Sequence, residues 1–190
     1  MLVNAQSDIV AARLEAVNLA RVEADTKENS MTEQFVLETI RELLKREEIA
    51  FRELHHEPTA TSEESARVRG EELKNGGKAL LMKGGDDYRL FVLPADRRAD
   101  SSKIRRTLTL RKLRFANRNE LLELTGLVPG SVPPFGHPVL PFDLFVDAAI
   151  RDNERIAFNA GSLTDSIIMS VDDYLRIASP SQVFDFSDVV

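Results

Sequence analysis

Cysteine is absent from this 190-residue chain, which excludes disulfides, thiolate nucleophiles and thiolate metal sites together. No apolar run approaches the roughly 18 residues that a membrane span needs. The N-terminus also lacks the charged-then-apolar pattern of a signal peptide. A soluble, cytoplasmic protein with no membrane partner is the expectation. Histidine is scarce: only His55, His56 and His137 occur, which leaves few sets of parts for a nucleophilic triad. His55-His56-Glu57 is too small a cluster to argue for a metal, so neither metal nor cofactor is expected. An excess of positive charge is missing too. The formal net charge of −6 argues against a protein that coats nucleic acid non-specifically.

The length suits one domain with at most an appendage and is enough to bury a core without staples. Residues 5–24 have Ile9, Val10, Leu14, Val17 and Val22 roughly on one side, as in an amphipathic helix. The polar run from Asp25 to Ser30 reads as a linker. The expected division is therefore a helical extension with linker over 1–30 and a compact domain over 31–190.

In that domain Phe35, Val36, Thr39, Ile40, Leu43 and Leu44 recur at helical spacing, with Ser30 and Glu33 as a capping box and an end near Arg46. Phe51 to His55 reads as a strand. Thr61-Ser-Glu-Glu64 caps a short helix that Gly70 should stop. Lys78–Lys83 and Tyr88–Leu93, joined by Gly84-Gly-Asp-Asp87, form a hairpin apolar enough for the middle of a sheet. A helix capped by Asp100 or Ser101 should run to about Leu108. Lys112 to Phe115 reads as a short strand, and Asn117 and Gly126 bracket another helix. Strands follow at Leu144–Asp147, Arg155–Phe158 and Ser166–Met169, then a last helix over Val171–Ala178. Strands and helices mix without strict βαβ alternation, and no internal repeat occurs. The expected class is α+β with a mixed, curved sheet flanked by helices.

Between two of these strands lies the stretch from Pro129 to Pro141, with five prolines and two glycines in thirteen residues. Proline fixes φ and removes N–H donors, while glycine permits close backbone approach. The result is either a stiff connection or a rigid ligand-holding loop. Three further places accompany it: His56-Glu-Pro-Thr59, Gly77-Lys78-Ala-Leu-Leu81 and Asn159-Ala-Gly-Ser162. With Gly130-Ser-Val-Pro-Pro134, a G-x-x-x-P loop, these four in this order resemble the YbaK/ProX superfamily of aminoacyl-tRNA deacylases. The same module occurs as the editing insertion of bacterial prolyl-tRNA synthetases. The resemblance covers about residues 32–180. Ile156–Gly161 and Asp173–Ala178 look most like the free-standing Ser- and Thr-tRNA trans-editing branch. Ala79 stands where the alanine editors of the family tend to carry an amide.

The resemblance implies hydrolysis of the ester between a small amino acid and the terminal ribose of a mischarged tRNA, Ser or Thr first, with Ala or Cys as further options. Such an ester is already activated, so the site needs chiefly to position and polarise it and to admit water. By resemblance Lys78 is the catalytic candidate, a fixed positive charge near the ester or terminal phosphate. Its other reading is a strand-end lysine that snorkels. Gly130, Ser131, Val132, Pro133 and Pro134 would present backbone groups to the amino acid. Phe135 is either a pocket wall or core, and His137 is a rim contact or an idle loop residue. His56 would orient a substrate group or cap its turn, and Gly161 with Ser162 would close the pocket. Thr59, Ser62 and Ser162 are the hydroxyls that could read a substrate hydroxyl.

Charge adds a further signal. Nine basic residues fall between Arg97 and Arg118, against Asp100 alone. Arg105, Arg106, Arg111 and Lys112 are expected to grip acceptor-stem phosphates. Aminoacyl-tRNA is the expected partner and a synthetase a second candidate. The competing readings are a non-catalytic aminoacyl-tRNA- or synthetase-binding module, and an adaptor that works through helix 5–24.

Overall fold

The strongest local signals in the chain are its helix caps, and they set the starts of α-helices at Thr61, Asp100, Asn117 and Ser170. The computed structural model describes residues 30–59 and 61–190. The helix expected over 5–24 and most of the linker after it fall outside these. Helix α1 runs through residues 30–46. Ser30 is already helical, so it does not cap from outside as expected. The buried face of α1 is Val36, Leu37, Ile40, Leu43 and Leu44, whereas Phe35 is 70% exposed. One residue is a 100° rotation, and the Leu37 side wins the core.

Strand β1 (Phe51–His55) leads to α2 (Ser62–Arg69). Thr61 caps α2 through a reciprocal bond pair with Glu64, and Gly70 ends it in the left-handed region at φ 67°. Such a cap contributes about 1 kcal/mol. Strands β2 (Gly77–Gly84) and β3 (Asp87–Pro94) form the expected hairpin, with Lys78 opposite Leu93. Next come β4 (Arg97–Ala99) and α3 (Ser101–Thr107), which Asp100 caps by accepting from the Ser102 and Lys103 amides. Only Arg114–Phe115 of the strand expected at 112–115 pairs, as β5, and α4 (Arg118–Thr125) follows with Asn117 as cap. The remaining elements are β6 (Asp143–Asp147), β7 (Arg155–Asn159), β8 (Asp165–Ser170), α5 (Val171–Ala178), β9 (Gln182–Phe184) and β10 (Ser187–Val189).

A five-stranded sheet in the order β5-β2-β3-β6-β9 is antiparallel on its β2 side and parallel from β3 to β9. A three-stranded antiparallel sheet, β1-β8-β7, stands beside it, and β10 pairs with β4. The class is α+β with a mixed sheet. The short strands β4, β9 and β10 were not expected, because three residues carry too little alternation to show a period.

Both faces of the larger sheet are covered, which explains the unbroken apolar runs of β2, β3 and β6. Leu81, Leu90, Val92, Leu144 and Val146 face the main core, shared with α1, α5 and the smaller sheet. Their neighbours Met82, Phe91, Leu93 and Phe145 face a second core closed by Ile104 of α3 and by Phe186. Phe91 stacks on Phe145 at 5.2 Å and meets Phe186 edge-on at 5.6 Å. Each such buried side chain contributes about 1.5–3 kcal/mol. The main core locks the five-stranded and three-stranded sheets together, and the site lies at the junction of the two.

Candidate active site

Gly76 bridges to Ala157, so the start of β2 touches β7. The approach is close: a Cβ at Gly77 would stand 2.7 Å from Ile156 Cδ1. A side chain there would push Ile156 aside, and the next residue, Lys78, is set at the junction of the two sheets. A pocket of about 270 Å³ opens at this point. The segment after β1 supplies Thr59, Thr61 and Ser62; α2 adds Ser65 and Arg69. Residues 76–80 and Ala95 form one side, and Gly130, Val132 and Asn159 complete the lining.

The Lys78 ammonium donates to the Arg97 carbonyl oxygen and, at 3.5 Å, to that of Ala95. It is half-buried, and burial lowers its pKa, opposed by the charges of Asp96 and Glu63. The strand-end lysine is thus anchored to the β3–β4 turn at the pocket wall. Its charge faces two carbonyl dipoles, with no carboxylate in ion-pair contact among the described residues.

The pocket floor is a polar network that sequence reasoning missed. Arg69, 6% exposed, donates from Nε to Ser166 Oγ at 2.9 Å, from Nη1 to the Ala157 oxygen at 3.4 Å and from Nη2 to Asn159 Oδ1 at 2.5 Å. Asn159 in turn donates from Nδ2 to the Gly130 oxygen at 2.8 Å. A two-bond chain therefore couples a buried guanidinium to the proline-rich loop. Burial lowers the Arg69 pKa to about 10, with Glu71 opposing, so the group stays cationic at neutral pH. In the sequence, Arg69 is one more charge on a short polar helix. Its burial follows only from β7 and β8 packing over it.

The expected site residues divide. Lys78, Thr59, Gly130, Val132 and Ser62 line the pocket. His56 does not: its Nε2 lies 2.7 Å from Ser166 Oγ, behind the floor, and its Nδ1 lies 2.8 Å from the Glu57 oxygen. Phe135 is core rather than wall. It is 1% exposed and meets Phe158 and Tyr174 edge-on, each at 5.5 Å. The loop around it is bound inward. Tyr174 donates to the Pro134 oxygen at 2.8 Å, and Ser131 Oγ bonds the Val128 amide and carbonyl. Ser131, Pro133 and Pro134 are buried outside the lining, and His137 is exposed away from it. Gly161, at φ 99°, donates to the Ser131 oxygen at 3.1 Å, and Ser162 donates to Asp165 Oδ2 at 2.6 Å. These two shape the turn behind the pocket and do not close it. Burial works against the Asp165 charge, but hydrogen bonds from Ser162, His55 and Thr164 win and lower its pKa. Among the described residues no three His, Asp or Glu side chains converge to hold a metal ion.

Beyond the pocket, a groove of about 180 Å³ shares Ala79, Leu80, Gly130 and Val132 with it and reaches Phe115 and Arg118. A cleft of about 520 Å³ follows past β5, lined by Lys83, Arg105, Arg111, Lys112 and Arg114. The basic stretch is not uniform. Lys103 is held by Asp185 and Asp188, and Arg114 by Glu120. Arg105, Arg106, Arg111 and Lys112 are exposed and form no ion pair among the described residues.

Comparison with known proteins follows the same outline. The profile of the aminoacyl-tRNA editing domain matches residues 56–177. The Multifunctional Ser/Thr-tRNA deacylase ProXp-y of Escherichia coli is 39% identical over 147 residues, covering 74% of this chain and 87% of that protein. A Proline--tRNA ligase of Shouchella clausii is 32% identical over 100 residues, which are 53% of this chain and 17% of the ligase. Among solved structures, a candidate trans-editing enzyme for prolyl tRNA synthetase superposes with a TM-score of 0.68 at 25% identity, over 80% of this chain and 97% of that one. Among the described residues no helix is long and apolar enough to cross a membrane.

Proposed function

The chain belongs to the aminoacyl-tRNA editing domain family, and from that premise we propose that it is a free-standing deacylase that hydrolyses the ester of mischarged tRNA carrying a small amino acid. The observation that carries this reading is one pocket holding an anchored lysine, Lys78, opposite Gly130 and Val132 of the proline-rich loop. Lys78 acts as a fixed charge near the ester or terminal phosphate. It lies in a partly desolvated wall, where electrostatic interactions are stronger than in water. The loop presents backbone at Gly130, and its rigidity keeps the ester where water can reach it. A volume of about 270 Å³ suits a small side chain, and Thr59, Ser62 and Ser65 supply hydroxyls. Serine and threonine esters are the favoured substrates, alanine and cysteine esters the next. The E. coli relative named for Ser/Thr-tRNA supports that order.

The groove toward Phe115 and the basic cleft beyond it supply a path for the tRNA end, with Arg105, Arg106, Arg111 and Lys112 on phosphates. Aminoacyl-tRNA is the partner this arrangement fits. A synthetase partner has support only from the related domain in prolyl-tRNA ligases.

The test is deacylation of tRNAs charged with Ser, Thr, Ala, Cys and Pro, comparing wild type with Lys78→Ala. Hydrolysis of one or two esters, reduced about 100-fold or more by the substitution, is the expected result. Tight tRNA binding without turnover of any ester would instead support a binding module.

A further inference from the structure

Arg69 stands out once its hydrogen bonds are counted. A guanidinium carries five N–H donors, and three are engaged, by Ser166 Oγ, the Ala157 oxygen and Asn159 Oδ1. One N–H on each terminal nitrogen remains. Every acceptor it meets is neutral. Glu71, the acid whose charge it feels, is held by Arg52 at 2.9 Å and by Asn75 at 3.0 Å, with Arg155 at 3.5 Å. Among the described residues Arg69 thus has no carboxylate partner, although it is 6% exposed. Burying a cation without a counter-charge is unfavourable by several kcal/mol, and simple packing would be served as well by an apolar residue of similar length. Arg69 also lines the pocket with Lys78 and Gly130, so a negative charge that develops there lies beside a buried cation.

We propose that Arg69 is a catalytic residue of this pocket, its two unengaged N–H groups holding the ester carbonyl oxygen as negative charge develops on it. This rests on the deacylase reading. Water adds to the carbonyl carbon, and the C=O electron pair moves onto the oxygen beneath the guanidinium. Collapse of the adduct breaks the bond to the ribose oxygen. One water proton ends on the ribose hydroxyl, and the other is released as the new acid ionises to the amino-acid carboxylate. Arg69 gains most when the charge is fully on oxygen, so it stabilises the transition state more than the bound ester. Asn159 is the positioning residue: its carbonyl holds Nη2 while its amide holds Gly130, so the electrophile and the loop keep one geometry.

The test compares Arg69→Gln and Arg69→Lys in the full chain. Single-turnover hydrolysis is measured on an ester that wild type cleaves. Binding is measured on the same tRNA with the amino acid joined by a stable amide. We expect Arg69→Gln to slow hydrolysis about 100-fold or more while the Kd of the amide analogue moves less than about threefold. Arg69→Lys should sit about tenfold above Gln, because it keeps the charge. A structural tie from α2 to β7 and β8 would not rank the variants by charge. Should Arg69→Gln not fold, Arg69→Met takes its place. Hydrolysis within about fivefold of wild type overturns the proposal, as does lysine no better than glutamine or analogue binding lost by the same factor as rate. A wild type that cleaves no ester overturns the deacylase reading and this proposal with it. An active wild type indifferent to Arg69 overturns the proposal alone.

Discussion

The Ser65 hydroxyl donates to the Thr61 oxygen at 2.9 Å and lies 2.7 Å from Thr59 Oγ1. A hydroxyl has one proton to give, so Thr59 must be the donor in the second bond. Thr59 then offers the pocket only lone pairs. A substrate hydroxyl can donate to them, whereas an alanine methyl leaves them unmet, and an unmet buried acceptor is unfavourable by about 1–3 kcal/mol. Thr59→Val keeps nearly the same shape and removes the acceptor. Its expected effect is a fall of about tenfold in the ratio of kcat/KM for Ser- or Thr-tRNA over Ala-tRNA. An unaltered ratio, measured on the three esters side by side, would show that Thr59 does not read the side chain.

Between β7 and β8 the chain must turn beneath α1, and the turn shapes the pocket from behind. Gly161 lies at φ 99°, and a Cβ there would stand 2.8 Å from Val36 Cγ1 and 3.1 Å from the Glu33 oxygen. Gly85, in the β2–β3 turn, also has positive φ (67°), but a Cβ there would meet nothing within 4 Å. The pair separates backbone strain from collision. Gly85→Ala should lower stability by about 1 kcal/mol, from the left-handed conformation alone. Gly161→Ala should lower it by about 2–4 kcal/mol, since Val36 sits in the close-packed core and gives way poorly. Urea denaturation of the two variants checks this, and equal losses would show that α1 moves aside freely. The same turn starts at Asn159, so a shift there also loosens its bond to Gly130.

Over the whole molecule, the candidate pocket and the Phe115 groove share Ala79, Leu80, Gly130 and Val132, and the basic cleft lies at the far end of β2 with Lys83 and Arg114 in its lining. Phe115 is 54% exposed, an aromatic surface that lines the groove with Arg118. The net charge of −6 disfavours non-specific binding of a polyanion, so a local basic cleft favours one bound orientation. Arg105→Glu with Arg106→Glu should weaken tRNA binding and flatten its salt dependence, by roughly 0.9 in slope for each phosphate that is no longer neutralised. Lys103→Glu should change the slope less, because Asp185 and Asp188 already hold that charge. Binding titrations from low to moderate salt distinguish the two. If the double variant kept the wild-type slope, the tRNA would have to approach by another face.

How legible all this was depends on the range of the forces involved. Caps and turns act within a few residues, so Thr61, Gly70, Asp100, Asn117 and Gly126 marked their helices in the sequence. Apolar runs announced the central strands, and four short motifs announced the family and, in it, Lys78 and the Gly130 loop. Which side of a residue faces the core is a different matter. Phe135 suits a pocket wall and a core equally by chemistry; Phe158 and Tyr174 closing around it made it core. His56 and Ser162 hold the scaffold because their nearest partners, Ser166 and Asp165, are already inside it. Arg69 became a buried cation through acceptors 88 to 97 residues away. The sequence by itself therefore determined the capped helices and the longer strands, which rest on local spacing, and the family, which rests on the resemblance of four motifs. The anchoring of Lys78 to the Arg97 carbonyl belongs to the tertiary structure. The tertiary structure alone decided the pocket floor, because desolvation and the pairing of distant polar groups exist only once the two sheets have met.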